Sequence, residues 1–193
     1  MAKIEWKPGT LLSPVPPALV SCGTPEKPNL FTVAWTGIVC SDPAKTYISV
    51  RKERYSYSLI KDSGEFVLHL PTASLAREID FCGVRSGRDI DKVAATGLRL
   101  SPSFKVVPPT VDKSPLSLEC RVSQIIALGS HDMFLADIVA VGVEERLVDD
   151  KGKLHLEGCR LLGYAHGEYY ELGQKLGSFG YSVRKKPERR RKG

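Results

Sequence analysis

Asn29-Leu30-Phe31-Thr32-Val33-Ala34-Trp35-Thr36-Gly37-Ile38-Val39-Cys40-Ser41-Asp42-Pro43 is the stretch on which the fold turns. Its middle, residues 31–39, is dense in β-branched and aromatic side chains, which pack well on a pleated surface, and it reads as a strand. Ser41-Asp42-Pro43 supplies turn chemistry. A second strand follows over 46–51, whose alternation sends Tyr47, Ser49 and Arg51 to one face and Thr46, Ile48 and Val50 to the other.

Working outward, residues 54–62 read as a short helix with Gly64 as its C-cap, and 65–70 returns to strand. A helix is expected over 73–81, then a glycine-punctuated loop over 82–87, then a helix over 89–95 with Asp89 in its N-cap region. Residues 118–123 alternate as a half-buried strand and 133–143 form a longer one. The turn at 149–152 leads to a last hairpin partner near 161–165. Many strands, few helices and no βαβ alternation predict a mainly β protein, a closed antiparallel barrel with a few short helices at its mouths. A Rossmann fold is disfavoured because no GxGxxG follows a strand.

Composition narrows the function classes. The chain has 193 residues, 42% hydrophobic and 26% charged, ordinary values for a globular domain with a sizeable core. The net charge of +6 is a property of the tail: seven of the 28 lysines and arginines and one of the 22 acids lie in 184–193. Residues 1–183 carry 21 of each sign, so the reading is one neutral domain over 1–183, without a basic binding face, and a solvated, disordered basic tail over 184–193. Nucleic acid is not expected as a partner, although such a tail is the kind that touches RNA. Five scattered cysteines without CxxC spacing suit a reducing compartment, here the cytoplasm, and no metal site is expected. Leu19-Val20-Ser21-Cys22 looks like a bacterial lipobox, but Pro14, Pro16 and Pro17 interrupt the apolar helix it would need. No apolar run is long enough to span a membrane.

The segment Ser49-Val50-Arg51-Lys52-Glu53-Arg54-Tyr55-Ser56-Tyr57 ends a strand in a guanidinium and starts a helix at a hydroxyl. Free backbone N–H groups, a hydroxyl and an arginine together suit a phosphate. The same spacing reads equally well as a surface helix capped by Ser56.

A resemblance goes further. The stretch 29–43, then Tyr47-Ile48-Ser49-Val50-Arg51, Glu53-Arg54-Tyr55-Ser56-Tyr57, Phe81-Cys82-Gly83-Val84-Arg85-Ser86-Gly87-Arg88-Asp89 with Asp91-Lys92, and Gly129-Ser130-His131-Asp132-Met133-Phe134 resemble the flavin reductase-like family. Phe179-Gly180-Tyr181-Ser182 matches too. The likeness covers roughly residues 10–183 and is nearest to the flavoredoxin type. It implies an FMN-binding split β-barrel in which Ala34, Trp35 and Thr36 run along the flavin ring. Ser49, Val50 and Arg51 would border the ribityl chain and phosphate, and Tyr55, Ser56, Ser86, Gly87 and Lys92 would complete the phosphate site. His131 would approach the ring face where NADH or NADPH docks, as a proton-handling or positioning group. Trp35 reads also as a core or dimer-interface residue, and Cys82 as a buried thiol in preference to a redox-active one. The implied function is an FMN-dependent oxidoreductase, a homodimer, passing electrons from NAD(P)H to free flavin, a metal ion or a partner protein. A flavoredoxin-type electron carrier reduced by a protein partner is the alternative.

Overall fold

A computed structural model describes residues 1–184 of the chain; the basic tail, apart from Arg184, lies outside the described residues. The first strand is β1 (Ala18–Gly23), followed by β2 (Pro28–Val33), β3 (Thr36–Ser41) and β4 (Ala44–Val50). Helix α1 (Tyr55–Ser63), β5 (Glu65–His69), α2 (Ala76–Val84) and α3 (Lys92–Thr96) come next. Two short strands, β6 (Leu100–Ser101) and β7 (Thr110–Val111), precede the long hairpin β8 (Leu116–Ala127) and β9 (Asp132–Val143), and the chain ends in β10 (Leu162–Ala165) and β11 (Glu168–Glu171).

Seven strands form one antiparallel sheet in the order β2-β1-β5-β8-β9-β4-β3. Strands β2 and β3 are neighbours in sequence yet sit at opposite edges of that sheet, so the chain itself bridges the gap between the edges. The single strand expected over 31–39 is therefore two, bent apart at Ala34 and Trp35. The Ser49 N–H donates to the Trp35 carbonyl at 2.9 Å, the backbone bond that pins the crossing against β4. The residues alone pointed to a mainly β antiparallel barrel and the family resemblance to a split one; the split barrel is the fold observed, with the crossing at Ala34–Trp35.

The interior is a packed core. Val20, Cys22, Phe31, Val33, Ile48, Val50, Phe66 and Phe134 meet inside the barrel, and Ile60 of α1 plugs one mouth. A second core lies outside, where Leu19 and Leu30 face Leu75, Ile79, Cys82, Val111 and Leu162. Strand β1 is thus covered on both faces, which is why Leu19-Val20-Ser21-Cys22 shows no alternation; Cys22 is fully buried in the sheet. Helix α1 ends as expected, with Gly64 at φ 70° donating its N–H to the Ile60 carbonyl.

Three local expectations fail for physical reasons. Cys82, Gly83 and Val84 are helical, extending α2 to Val84, where the Arg85 N–H closes the last turn on the Phe81 carbonyl and Gly83 packs against Thr32. Helix α3 begins at Lys92, later than residue 89, because Asp91 is its cap and accepts from the Val93 and Ala94 N–H groups. Strands β10 and β11 pair only with each other, as a separate hairpin laid against the barrel by the Val15–Tyr164 bridge.

Two buried polar side chains hold the closed side. His69 donates Nδ1–H to the Leu19 carbonyl at 3.2 Å and accepts at Nε2 from the Val111 N–H at 2.9 Å. Burial holds its pKa at about 4, so the ring is neutral. Glu119 accepts from the Phe104 and Lys105 N–H groups and secures the loop between β6 and β7.

Candidate functional site

The split opens into a groove with two ends. The narrower end, about 390 Å³, runs along residues 31–35, whose Phe31 and Val33 side chains lie in the barrel core, and is bordered also by Ser49, Arg51, Asp80, Val84 and His131. The wider end, about 490 Å³, is formed by Arg51, Arg54, Tyr55, Ser56, Ser86, Gly87, Arg88, Lys92 and Arg85, with Glu53 the one acid. Phe31, Arg51 and Arg54 border both ends, so the two adjoin.

The two loops of the wider end are tied to each other by arginines. Arg54 Nη1 donates to the Gly83 carbonyl at 3.0 Å, and Arg88 Nη1 returns the contact to the Glu53 carbonyl at 2.8 Å. Arg88 also lies over the Tyr55 ring, 5.9 Å from its centroid. Each guanidinium has five N–H donors, so these bonds orient the arginines and leave donors free for an anion. Helix α1 starts at Arg54 without a side-chain cap, and the Tyr57 N–H donates to the Arg54 carbonyl at 3.0 Å. Ser56 is not the cap: it is buried, and its Oγ accepts from Asn29 Nδ2 at 2.8 Å.

This concentration of charge corrects the inference that a neutral body lacks a basic face. Net charge sums over the surface, whereas Arg51, Arg54, Arg85, Arg88 and Lys92 are gathered here from segments far apart in sequence.

Gly87 is required by the protein itself. An added Cβ would lie 2.1 Å from Asn29 Oδ1 and 2.7 Å from the Tyr55 ring, so only glycine brings the α2–α3 loop down onto α1. Lys92 is likewise structural in part: it is buried, and Nζ donates to the Cys82 carbonyl at 2.9 Å at the end of α2. Desolvation, the main cause, lowers its pKa. Cys82 is fully buried, and burial pushes its thiol up to about 11, which leaves it protonated and unreactive near neutral pH.

Of the expected ring-side residues, Ala34 and Trp35 line the narrow end, Trp35 at 36% exposure. Thr36 lines neither end: it is buried, with its hydroxyl donating to the Tyr47 carbonyl at 2.6 Å. Val50 has its side chain in the barrel core, so only its backbone faces the groove. His131 sits in the β8–β9 turn with Nδ1 2.9 Å from Ser130 Oγ. Beside it, Asp132 is buried, accepts from the Tyr57 hydroxyl at 2.6 Å and faces Lys52 Nζ at 3.5 Å. The hydrogen bond to this carboxylate raises the Tyr57 pKa.

Sequence reasoning assigned no role to Arg54, Arg85 and Arg88, although all three stand inside the quoted motifs. The sign that was available is the pairing of two arginine-bearing loops around one helix start. Tyr164, Gly167 and Tyr169 of the β10–β11 hairpin also border the narrow end, and nothing in their local sequence marks them. The Tyr169 phenol is held up to about 12 by burial first and Asp80 second.

The donors fit a phosphate. Several guanidinium groups match a dianion, and the open groove along residues 31–35 lies beside them. Among the described residues no group of His, Cys, Asp and Glu is arranged to hold a metal ion, and no helix is long and apolar enough to cross a membrane.

Comparison with known proteins agrees with this geometry. The family model described as flavin reductase like domain matches residues 11–173. The flavoredoxin of Desulfovibrio vulgaris (Miyazaki F) is 30% identical and superposes with a TM-score of 0.86 over 95% of this chain and 100% of that one. The flavoredoxin from Methanosarcina acetivorans is 24% identical with a TM-score of 0.85, again over 95% and 100%. An FMN-binding protein from Thermus thermophilus is 22% identical with a TM-score of 0.76, over 92% of this chain and 98% of that one.

Proposed function

The chain belongs to the flavin reductase-like domain family, and from that premise we propose that it binds FMN and passes electrons from NADH or NADPH through it to free flavin, a metal ion or a partner protein. One observation carries the reading: Arg51, Arg54, Arg85 and Arg88 gather in one cavity at the start of α1, and a second cavity along Ala34 and Trp35 adjoins it.

In this reading Arg51, Arg54 and Arg88 neutralise the phosphate, with Tyr55, Ser56, Ser86, Gly87 and Lys92 shaping the rest of that pocket. The backbone of residues 34–36 and 49–51 meets the polar edge of the ring. Bound flavin supplies the hydride and electron chemistry, while the protein supplies position and electrostatics. Donors and cations beside the ring favour its reduced, negatively charged form. His131 orients the nicotinamide over the ring. The protein acts as a homodimer in the cytoplasm, consistent with five free cysteines.

The test is direct. The purified chain titrated with FMN and with riboflavin should bind FMN at least a hundredfold more tightly, because riboflavin lacks the phosphate. Equal affinities remove the phosphate assignment. Rapid bleaching of the flavin band by NADH or NADPH in a stopped flow supports the reductase. Likeness to flavoredoxins favours a second reading, an electron carrier reduced by a protein partner; a bound flavin that neither nicotinamide reduces would select it.

A further inference from the structure

Behind the groove, one buried carboxylate gathers the turn that carries two of the arginines. Asp132 opens β9, opposite Val50 of β4 and Ala127 of β8. Strand alternation puts it on the same face as Phe134, inside the barrel at the mouth that α1 plugs. Its side chain is only 6% exposed. Oδ2 accepts from the Tyr57 hydroxyl at 2.6 Å, and the Tyr57 ring stands edge-on to Phe134 with 5.3 Å between centroids. Oδ1 is buried and has no hydrogen-bond partner among the described residues. Lys52 Nζ, on a side chain more than half exposed, faces that oxygen from 3.5 Å.

Residues 50, 52 and 57 therefore all return to Asp132: Val50 across the ladder, Lys52 by charge, Tyr57 by its hydroxyl. The residues between them, Arg51 and 53–56, line the wider cavity. The Arg54 N–H closes the turn on the Arg51 carbonyl at 3.0 Å. His131, one residue before the carboxylate, borders the narrower end, so a single anchor stands behind both ends of the groove.

Stability alone does not call for this group. Burying a carboxylate is unfavourable, an oxygen left unbonded adds to the cost, and an apolar side chain would extend the core of Val50 and Phe134. What the carboxylate does, and an apolar group could not, is hold Tyr57 and Lys52. Local rules broken in this way concentrate where a site must be held in shape.

We propose that Asp132 is a positioning residue for the flavin phosphate, fixing the 50–57 turn so that Arg51, Arg54 and Tyr55 border one cavity. The inference rests on the flavin reading for its ligand and adds to it a residue that lines neither cavity.

The test uses the full-length chain with Asp132→Leu and Tyr57→Phe together, which removes the carboxylate and leaves no hydroxyl unpaired. This chain should melt no lower than the parent, yet its ratio of FMN to riboflavin affinity should fall about tenfold. Asp132→Asn, which keeps the shape and loses the charge, should show a smaller fall and carries the test if the double variant does not fold. An undiminished ratio in a folded variant overturns the proposal, as does a fall seen only where the fold itself is lost. Amide exchange without any flavin gives an independent reading: residues 52–57 should exchange at least about tenfold faster in the double variant, with β8 and β9 unchanged. Unchanged exchange at 52–57 also overturns it. A parent chain that binds FMN and riboflavin alike would sink the phosphate reading, and the exchange would still decide this one.

Discussion

The closed side of the barrel and its split side are built to different ends. On the closed side β1, β5 and β8 are sealed by two cores, and even the polar groups there, His69 and Glu119, spend their hydrogen bonds on backbone. On the split side the backbone leaves the ladder at Ala34–Trp35, arginines keep free donors, and α1 starts uncapped. If the closed side carries stability and the proposed flavin site lies on the split side, substitutions on the two should move different measurements.

The largest effect belongs to the closed side. Phe66→Ala, deep in the barrel, should cost about 3–5 kcal/mol and lower the melting temperature by roughly 6–20 °C, with FMN affinity of the folded protein unchanged. A loss of FMN affinity well below the melting transition would erase the distinction between the sides.

The pH dependence should be almost as large. His69 is neutral in the fold, with its pKa held at about 4. An unfolded chain takes up that proton as pH falls through about 6.5. The contribution is therefore fully present above pH 6.5 and lost as pH falls from there to about 4, an effect of about 3 kcal/mol. Urea unfolding at a series of pH values should show a shallower acid slope for His69→Gln than for the parent chain.

On the split side, Arg54→Ala with Arg88→Ala should weaken FMN by about tenfold to a hundredfold and leave riboflavin affinity unchanged. A matching loss for riboflavin would mean that the arginines only hold the two loops together. Gly87→Ala probes the seam between the sides. The clash with Asn29 and Tyr55 should cost about 1–3 kcal/mol in unfolding free energy and weaken FMN as well, because the same loop does both jobs. The smallest effect is His131→Gln, expected to slow reduction by nicotinamide less than about tenfold with the melting temperature unmoved.

Motif-bearing segments were legible where chemistry is local. Gly64 as a C-cap, the pairing of residues 46–51 and the long strand ending at Val143 follow from alternation and turn residues. Arg51, Tyr55 and Ser86 fall at the groove; the Thr36 side chain turns away from it after the bend at Ala34–Trp35, and the Val50 side chain points into the barrel, as the alternation of 46–51 already placed it opposite Ser49 and Arg51.

Taken alone, the order of residues determined the class of fold and the positions of most strands, since propensity, alternation and turn chemistry act over a few residues. It could not place β2 and β3 on opposite edges of one sheet, gather arginines from 51–54 and 85–88 into one charged pocket, or set the β10–β11 hairpin beside the groove. Those depend on closure of the barrel, a long-range balance of burial against chain entropy that no short window of sequence contains.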